Sequence, residues 1–99
     1  MYFGRDRPGG EVSEEEFQTF LRTVVTPRFS DGLTVVNASG QFRGNTGEII
    51  KEKTKLVILI HSNTQDENRA IQEIIDKYKA QFQQESVLRV TSIPTQVEF

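Results

Sequence analysis

The sequence predicts an α+β sandwich of the βαββαβ kind, with two helices on one face of an antiparallel sheet. Two segments have apolar residues at helical spacing behind capping residues, and four segments are rich in β-branched and aromatic residues. They alternate as strand, helix, strand, strand, helix, strand. Since each strand–helix–strand crossover is right-handed, both helices lie on the same side of the sheet. This order predicts the ferredoxin-like arrangement.

Size and composition limit the classes of function. The chain has 99 residues, 35% hydrophobic and 26% charged, which predicts a single α+β domain over residues 1–99. Twelve Lys and Arg against fourteen Asp and Glu give a net charge of −2, so no nucleic acid is expected as a partner. With no cysteine and one histidine, we expect no metal site and no cofactor.

Apolar runs and the first residues of the chain are the features that could indicate a membrane span or an export signal. No apolar run approaches the roughly 20 residues of a membrane helix, so no membrane span is predicted in this chain. Because the first residues already have strand character, we expect that the chain lacks a native N-terminal segment. The residues alone leave the localisation undetermined.

A short strand and a helix open the chain. The strand is predicted over residues 1–3 or 1–4, with a loop through Gly10. The helix begins after Ser13, because Ser13 and Glu16 have the spacing of a capping box, and it ends before Pro27. Its apolar stripe consists of Phe17, Phe20, Leu21 and Val24.

A strand and a hairpin are predicted next. Leu33–Val36 is β-branched and follows the turn Asp31–Gly32. Residues 41–43 and 48–50 flank a four-residue connection with two glycines, which indicates a hairpin. Gly40, inside its first arm, suggests a bulge.

A buried strand, a second helix and a last strand complete the fold. Leu56–Ile60 is five consecutive apolar residues, so both of its faces are expected to be covered. Thr64 and Glu67 form a second capping box, and Ser86–Thr91 reads as the last strand. The stripe of the second helix consists of Ile71, Ile74, Ile75, Tyr78 and Phe82.

Side-chain alternation predicts the composition of each sheet face. Leu56, Ile58 and Ile60 are expected to face the helices, together with Leu88 and Val90. The helix-free face then carries Lys55, Val57, Leu59, His61, Val87, Arg89, Thr91, Thr34 and Val36. Aliphatic residues on a bare sheet face require a cover, so we expect a homodimer in which two such faces pack together.

Candidate chemical groups are few. His61, the single histidine, ends the buried strand; it is either a packing residue or a proton-transfer group. Arg89, among aliphatic residues, needs a carboxylate, either from Glu52 or another acid of the protein or from a small anionic ligand. Residues 51–55 alternate in charge and are most simply a solvated or edge-protecting strand.

Several segments together have the pattern of a known family. They are Tyr2-Phe3-Gly4-Arg5 with Pro8-Gly9-Gly10, Val12-Ser13 leading to Phe17, Thr26-Pro27-Arg28-Phe29 with Asp31-Gly32-Leu33-Thr34-Val35, Gly40-Gln41-Phe42-Arg43, Glu52-Lys53-Thr54-Lys55, and Tyr78-Lys79-Ala80-Gln81-Phe82 with Gln84-Glu85-Ser86-Val87-Leu88-Arg89. In this respect the chain resembles, over essentially its whole length, the uncharacterised bacterial family called domain of unknown function 3574.

The resemblance implies a bacterial source and no established activity. Members often carry an N-terminal export or lipoprotein signal, which implies an extracytoplasmic location for the full-length protein. The family often has Trp where this chain has Phe17 and Phe42, and Ser where it has Thr54. The family's cysteine is absent around Thr95, so no role of that cysteine transfers. Within the motifs, Arg28 and Gln84 have no evident structural reason and join the candidate residues.

Two hypotheses follow. The first is a non-enzymatic module that self-associates or binds a small, anionic ligand near Arg89. The alternative is a small enzyme of the dimeric α+β barrel type, with a site on the open sheet face and His61 or Tyr2 as acid or base beside Arg89. The candidate ligand-binding residues are Arg89, His61, Tyr2, Arg28 and Gln84; no catalytic residue is assigned. A cavity lined by His61, Arg89 and Tyr2 would favour the enzyme.

Overall fold

The computed structural model describes residues 1–99 and contains two helical segments and two antiparallel sheets. Its elements are β1 (Tyr2–Gly4), β2 (Asp6–Arg7), β3 (Gly10–Glu11), α1 (Glu14–Phe20) with a π-helical turn (Leu21–Val25), β4 (Thr34–Arg43), β5 (Ile49–Ile58) and α2 (Gln65–Phe82). The main sheet has the order β1-β5-β4, and β2 and β3 form a separate short hairpin. Neither helix combines the length and the apolar character that crossing a bilayer requires.

The first helical segment begins as predicted. The backbone N–H of Glu16 donates to Ser13 Oγ at 3.0 Å, and the N–H of Ser13 donates to Glu16 Oε1 at 3.2 Å, which completes the capping box. After Phe20 the helix continues as one π-helical turn. Because that turn holds an extra residue, the buried position moves from Val24 to Val25, which is fully buried.

The second helix also begins as predicted, but only half of its capping box forms. The N–H of Glu67 donates to Thr64 Oγ1 at 3.2 Å. The carboxylate of Glu67 lies instead beside the ring of His61. The helix ends at Gln83, whose left-handed backbone (φ 55°) reverses the chain. Its buried stripe is the predicted one, Ile71, Ile74, Ile75, Tyr78 and Phe82.

β4 and β5 form one long hairpin. They pair without interruption from Thr34↔Ile58 to Arg43↔Ile49, and Gly40 lies directly opposite Glu52. The predicted bulge at Gly40 is therefore wrong, since both strands contribute equal numbers of residues. β1 pairs only with residues 54–56 of β5. The distal half of the hairpin, residues 40–43 and 49–52, extends beyond β1, and we call it the β-arm.

The predicted last strand is reduced to one bridge. Tyr2 pairs with Leu88, and the N–H of Tyr2 donates to the carbonyl oxygen of Leu88 at 2.8 Å. The rest of the predicted strand over residues 86–91 is wrong. β1 spans three residues, so its second edge can hold few further hydrogen bonds.

An aromatic cluster joins both helices to the sheet. The ring of Phe3 in β1 lies 5.8 Å from that of Phe17 in α1 and 4.7 Å from that of Tyr78 in α2, measured between centroids. Both helices therefore cover the same face of β1. The hydroxyl of Tyr78 donates to the carbonyl oxygen of Gly4 at 2.7 Å. Burial raises the pKa of Tyr78, so the hydroxyl keeps its proton for this bond.

The two faces of β5 are exchanged relative to the prediction, whereas Thr34 and Val36 of β4 lie on the helix-free face as expected. Val57 is fully buried against the helices and Lys55 is 2% exposed, whereas Ile58 is 44% exposed on the helix-free face. Leu88 and Val90, expected to point inward, are exposed as well. The predicted orientation was therefore wrong by one residue along β5, and a one-residue shift moves every side chain to the opposite face.

An ion pair between a buried lysine and an exposed glutamate stabilises this orientation. The ammonium group of Lys55 contacts the carboxylate of Glu14 and the amide oxygen of Asn37, and it lies 5.7 Å from the centroid of the Phe17 ring. Glu14 is the first residue of α1, so this contact joins α1 to β5. Of the lysines expected to be solvated, Lys53 is exposed, but Lys55 is not.

Removal of the carboxylate should destabilise the fold. We expect Glu14→Gln to lower the free energy of unfolding by about 1–3 kcal/mol, because it leaves the buried Lys55 ammonium without an opposite charge. Lys55→Met should cost less, since the Glu14 side chain is 57% exposed and water can hydrate it. Urea denaturation measures each change. Glu15→Gln, in the same turn, is the control, and equal losses for Glu14→Gln and Glu15→Gln would contradict the prediction.

The same pair predicts a dependence on pH. The hydrogen bond from Lys55, followed by that from Gln18, lowers the pKa of Glu14 below its ordinary 4.5. A carboxyl with a lowered pKa stabilises the fold fully above its unfolded pKa and loses that contribution as the pH falls through the folded value. The difference in unfolding free energy between wild type and Glu14→Gln should thus be constant above about pH 5 and shrink below about pH 4.5. Urea titrations at several pH values test this, and a difference that grows on acidification would refute it.

Candidate functional site

A cleft of about 490 Å³ lies on the helix-free side of the sheet, and we call it the open-face cleft. β1 contributes Tyr2 and Gly4 to its lining. The β4–β5 hairpin contributes Phe42, Glu52 and Thr54. The segment after α2, residues 83–86 and Leu88, and Asp6 of β2 complete it.

The inverted orientation of β5 creates this lining. Glu52 and Thr54 alternate with Lys53 and Lys55 along the strand, so their side chains lie on the helix-free face. Gln84 forms a side wall, because its Nε2 donates to the backbone oxygen of Asp6 at 2.5 Å. That bond connects the end of α2 to β2.

Gly4 provides room for a carboxylate in the floor of the cleft. A Cβ atom on residue 4 would overlap the carboxylate of Glu52, so a glycine is required while Glu52 keeps this position. On the other side of the strand, the Tyr78 hydroxyl holds the carbonyl oxygen of Gly4. The backbone of β1 is therefore fixed between a buried hydroxyl and a half-buried carboxylate.

A second group of predicted residues lies at the start of α2. His61 Nδ1 is 2.7 Å from the carbonyl oxygen of Ser62 and 3.4 Å from Glu67 Oε2. Glu67 Oε2 is buried and accepts no hydrogen bond, because Nδ1 makes its shorter contact with Ser62. The ring of His61 packs edge-on against Phe29, with 6.0 Å between centroids.

Arg89 also contacts α2. Its guanidinium Nη2 donates to Asn68 Oδ1 at 2.5 Å. It forms no ion pair, so the expectation of a partner carboxylate such as Glu52 is wrong. The expectation that Arg89 shares the helix-free face is wrong as well, because α2 covers the opposite face of the sheet.

Arg28 lies apart from both groups. Its Nη1 donates to the carbonyl oxygen of Val24 at 2.7 Å, and its Nε lies 3.8 Å from Glu73 Oε2. These contacts connect the end of the first helical segment to α2. Arg28 therefore has a structural explanation that its sequence motif did not reveal.

The five predicted residues thus occupy three places. Tyr2 and Gln84 line the open-face cleft, His61 and Arg89 lie at the start of α2, and Arg28 lies between the helices. The sequence reasoning missed the remaining lining, notably Phe42, Glu52 and Thr54. A sequence signal for these three residues exists, because all three lie in segments that carry the family resemblance.

A further cleft, of about 420 Å³, lies at the glycine-rich loop over residues 7–11. Its lining has no hydrophobic residue. The guanidinium of Arg7, its one basic group, donates to Glu16 Oε1 at 2.8 Å and lies 5.8 Å from the Phe82 ring centroid. Arg7 is therefore already paired within the protein.

Replacement of Arg89 tests whether this residue is structural. Because its partner Asn68 is a neutral amide, we expect Arg89→Met to lower the free energy of unfolding by only about 1 kcal/mol. Urea denaturation checks this, with Arg43→Met as the control on an exposed strand end. A loss of about 3 kcal/mol or more, which is typical of a broken buried ion pair, would refute the expectation.

Comparisons with known proteins agree with the resemblance of the sequence motifs. No curated protein and no solved structure matches the chain. The family model described as "Protein of unknown function (DUF3574)" matches residues 1–99. Since the match covers the whole chain, this protein belongs to the DUF3574 family.

Proposed function

We propose that this protein is a non-enzymatic module that self-associates as a homodimer through the helix-free face of its sheet. One observation carries the proposal: an apolar row crosses the sheet on that face. Tyr2 pairs with Leu88 on one side and with Leu56 on the other, and Leu56 pairs with Val36. We call these four residues the apolar row.

The apolar row is open to solvent in the single chain. Leu88 is 60% exposed and Val36 is 40% exposed, and Ile58 extends the patch along β5. Large contiguous apolar patches are uncommon on monomers and mark interaction surfaces. Binding of a partner over the apolar row would be stabilised by the removal of this apolar surface from water.

Charge favours a second copy as the partner. The rungs Thr34↔Ile58, Val36↔Leu56 and Ala38↔Thr54 contain no charged side chain. A two-fold interface brings each surface against itself, so an interface centred on these three uncharged rungs avoids like-charge repulsion there. Two such sheets pack about 10 Å apart, with their side chains interdigitated.

The proposal includes the ferredoxin-like strand order. One edge of β1 pairs with β5, and Tyr2 of β1 also forms a bridge to Leu88. This bridge supports a position for the last segment at the other edge of β1. Beside β1, that segment adds Leu88 to the helix-free face of the three-stranded sheet. A wider face supports a stable interface, because specific interfaces bury about 800 Å² per partner.

The alternative, a small enzyme on the open face, has less support. It requires Arg89 and His61 beside Tyr2, and both residues contact α2 instead. The small anionic ligand expected near Arg89 stays a prediction. The lack of an ion pair at Arg89 supports it.

A charge in the apolar row should separate the dimer. We expect wild type to scatter light with twice its chain mass of 11.3 kDa, and Val36→Arg with the chain mass alone, because two-fold symmetry places the new charge in the interface twice. Gln41→Arg, on the same strand but the opposite face, should stay dimeric. Size-exclusion chromatography with light scattering measures the masses, and circular dichroism checks that Val36→Arg folds. Wild type that is monomeric at about 100 μM, or a dimeric Val36→Arg, would refute the proposal.

A further inference from the structure

β4 leaves one edge of the main sheet unpaired. The order β1-β5-β4 gives β4 a neighbour on one side only. Just past β4, Gly44 donates its backbone N–H to the carbonyl oxygen of Glu48, and the bonding direction alternates along an antiparallel strand. Even-numbered residues of β4 therefore direct their N–H and C=O groups at β5. The odd-numbered residues direct theirs at the open edge, where they have no backbone partner: Val35, Asn37, Ser39, Gln41 and Arg43.

The open edge of β4 lacks the features that protect most edge strands. Native edges are short, or they carry a proline, a bulge or several charges. β4 has ten residues, pairs with β5 without a bulge, contains no proline and has one charged residue, Arg43 at its end. Asn37, Ser39 and Gln41 are exposed to solvent. This edge is therefore open to the addition of another strand.

The same chain contains a segment that has the pattern of a strand and no partner. Residues 90–99, which we call the exposed segment, are all exposed and make no backbone hydrogen bond. Its last seven residues alternate as in a half-buried strand. One side carries Ile93, Thr95, Val97 and Phe99, and the other carries Pro94, Gln96 and Glu98. An apolar side of this kind needs a sheet to pack with.

The proline of the exposed segment favours parallel pairing with β4. With the apolar side on the helix-free face, antiparallel pairing would direct the missing N–H of Pro94 at β4, whereas parallel pairing directs it at solvent. Glu98 and Arg43 are the only charged residues of the two strands, and their charges are opposite. The parallel register that places Glu98 beside Arg43 also places Val97 beside Phe42. Hydrogen bonding, charge and apolar contact therefore agree on one register.

The reach of the chain requires a second copy for this register. Thr91 would lie beside Val36 at one end of the apolar row, whereas Leu88 lies at the other end. With about 4.8 Å between neighbouring strands, these two positions are about 19 Å apart. The chain from Leu88 to Thr91 spans at most about 11 Å when fully extended. The exposed segment therefore cannot reach this position on its own sheet.

We propose that the exposed segment of one copy adds as a parallel strand to the open edge of β4 in a second copy. The proposal rests on the proposed homodimer, since it needs a second copy, and it adds a backbone contact to that of the apolar row. The β-arm, which is two-stranded in the single chain, gains a third strand. Backbone hydrogen bonds hold the added strand, and its alternating side chains determine which side faces the partner sheet.

A disulfide between the two strands tests the proposal. The chain has no cysteine, so Gln41→Cys combined with Gln96→Cys supplies the only thiols. Positions 41 and 96 lie side by side in the proposed register, within the distance that a disulfide can bridge. The double variant is oxidised with glutathione disulfide and separated on a non-reducing denaturing gel, and mass spectrometry of tryptic peptides identifies the linked positions. We expect most of the chain to form a covalent dimer in which position 41 is linked to position 96.

A matched pair of cysteines is the control. Gln18→Cys combined with Gln96→Cys has its first thiol exposed on α1, away from β4, and should remain monomeric on the same gel. As much covalent dimer from this control, or a link between positions 41 and 96 within one chain, would overturn the proposal.

Light scattering of wild type separates this proposal from the proposed homodimer. A dimeric wild type together with a double variant that forms no link between positions 41 and 96 would overturn the added strand and leave the homodimer standing. A monomeric wild type would overturn both.

Discussion

The contact between Lys55 and Glu14 stabilises the orientation of β5 in which Lys55 and Val57 face the helices. Burial of an ammonium group costs several kcal/mol unless it is paired, and the first residue of α1 supplies the one carboxylate that Lys55 contacts. Val57 then faces the core, and Leu56 and Ile58 face away from it. The apolar row and the open-face cleft both follow from this one orientation.

Local patterns predicted the helices well, because capping and spacing are properties of neighbouring residues. The π-helical turn has no such local signal, and regular helical spacing therefore predicts Val24 as the buried residue, whereas the structure buries Val25. The faces of the sheet could not be predicted from the alternation. Residues 56–60 of the sequence are all apolar, so the alternation does not distinguish one face of this segment from the other. The buried side of β5 instead has contacts with residues far away in the sequence, such as that of Lys55 with Glu14.

The same error in the orientation of β5 explains why only part of the candidate site could be predicted. Tyr2 and Gln84 were identified, but Arg89 was assigned to the face that it does not occupy, because the error in β5 carried over to the last segment. Glu52 was regarded as part of a solvated strand. Its role in the cleft depends on Gly4, which lies on another strand, and only the pairing of β1 with β5 brings the two together.

The β-arm has a consequence for local motion. Its rungs lie beyond the backbone pairing of β1, and none of its residues belongs to the aromatic cluster. Two-stranded ribbons are marginally stable on their own. In the single chain, amide hydrogens of the β-arm therefore exchange with solvent through local fraying, whose free energy is a small fraction of the global free energy of unfolding. Amide hydrogens at the base of the hairpin exchange only when the whole domain unfolds.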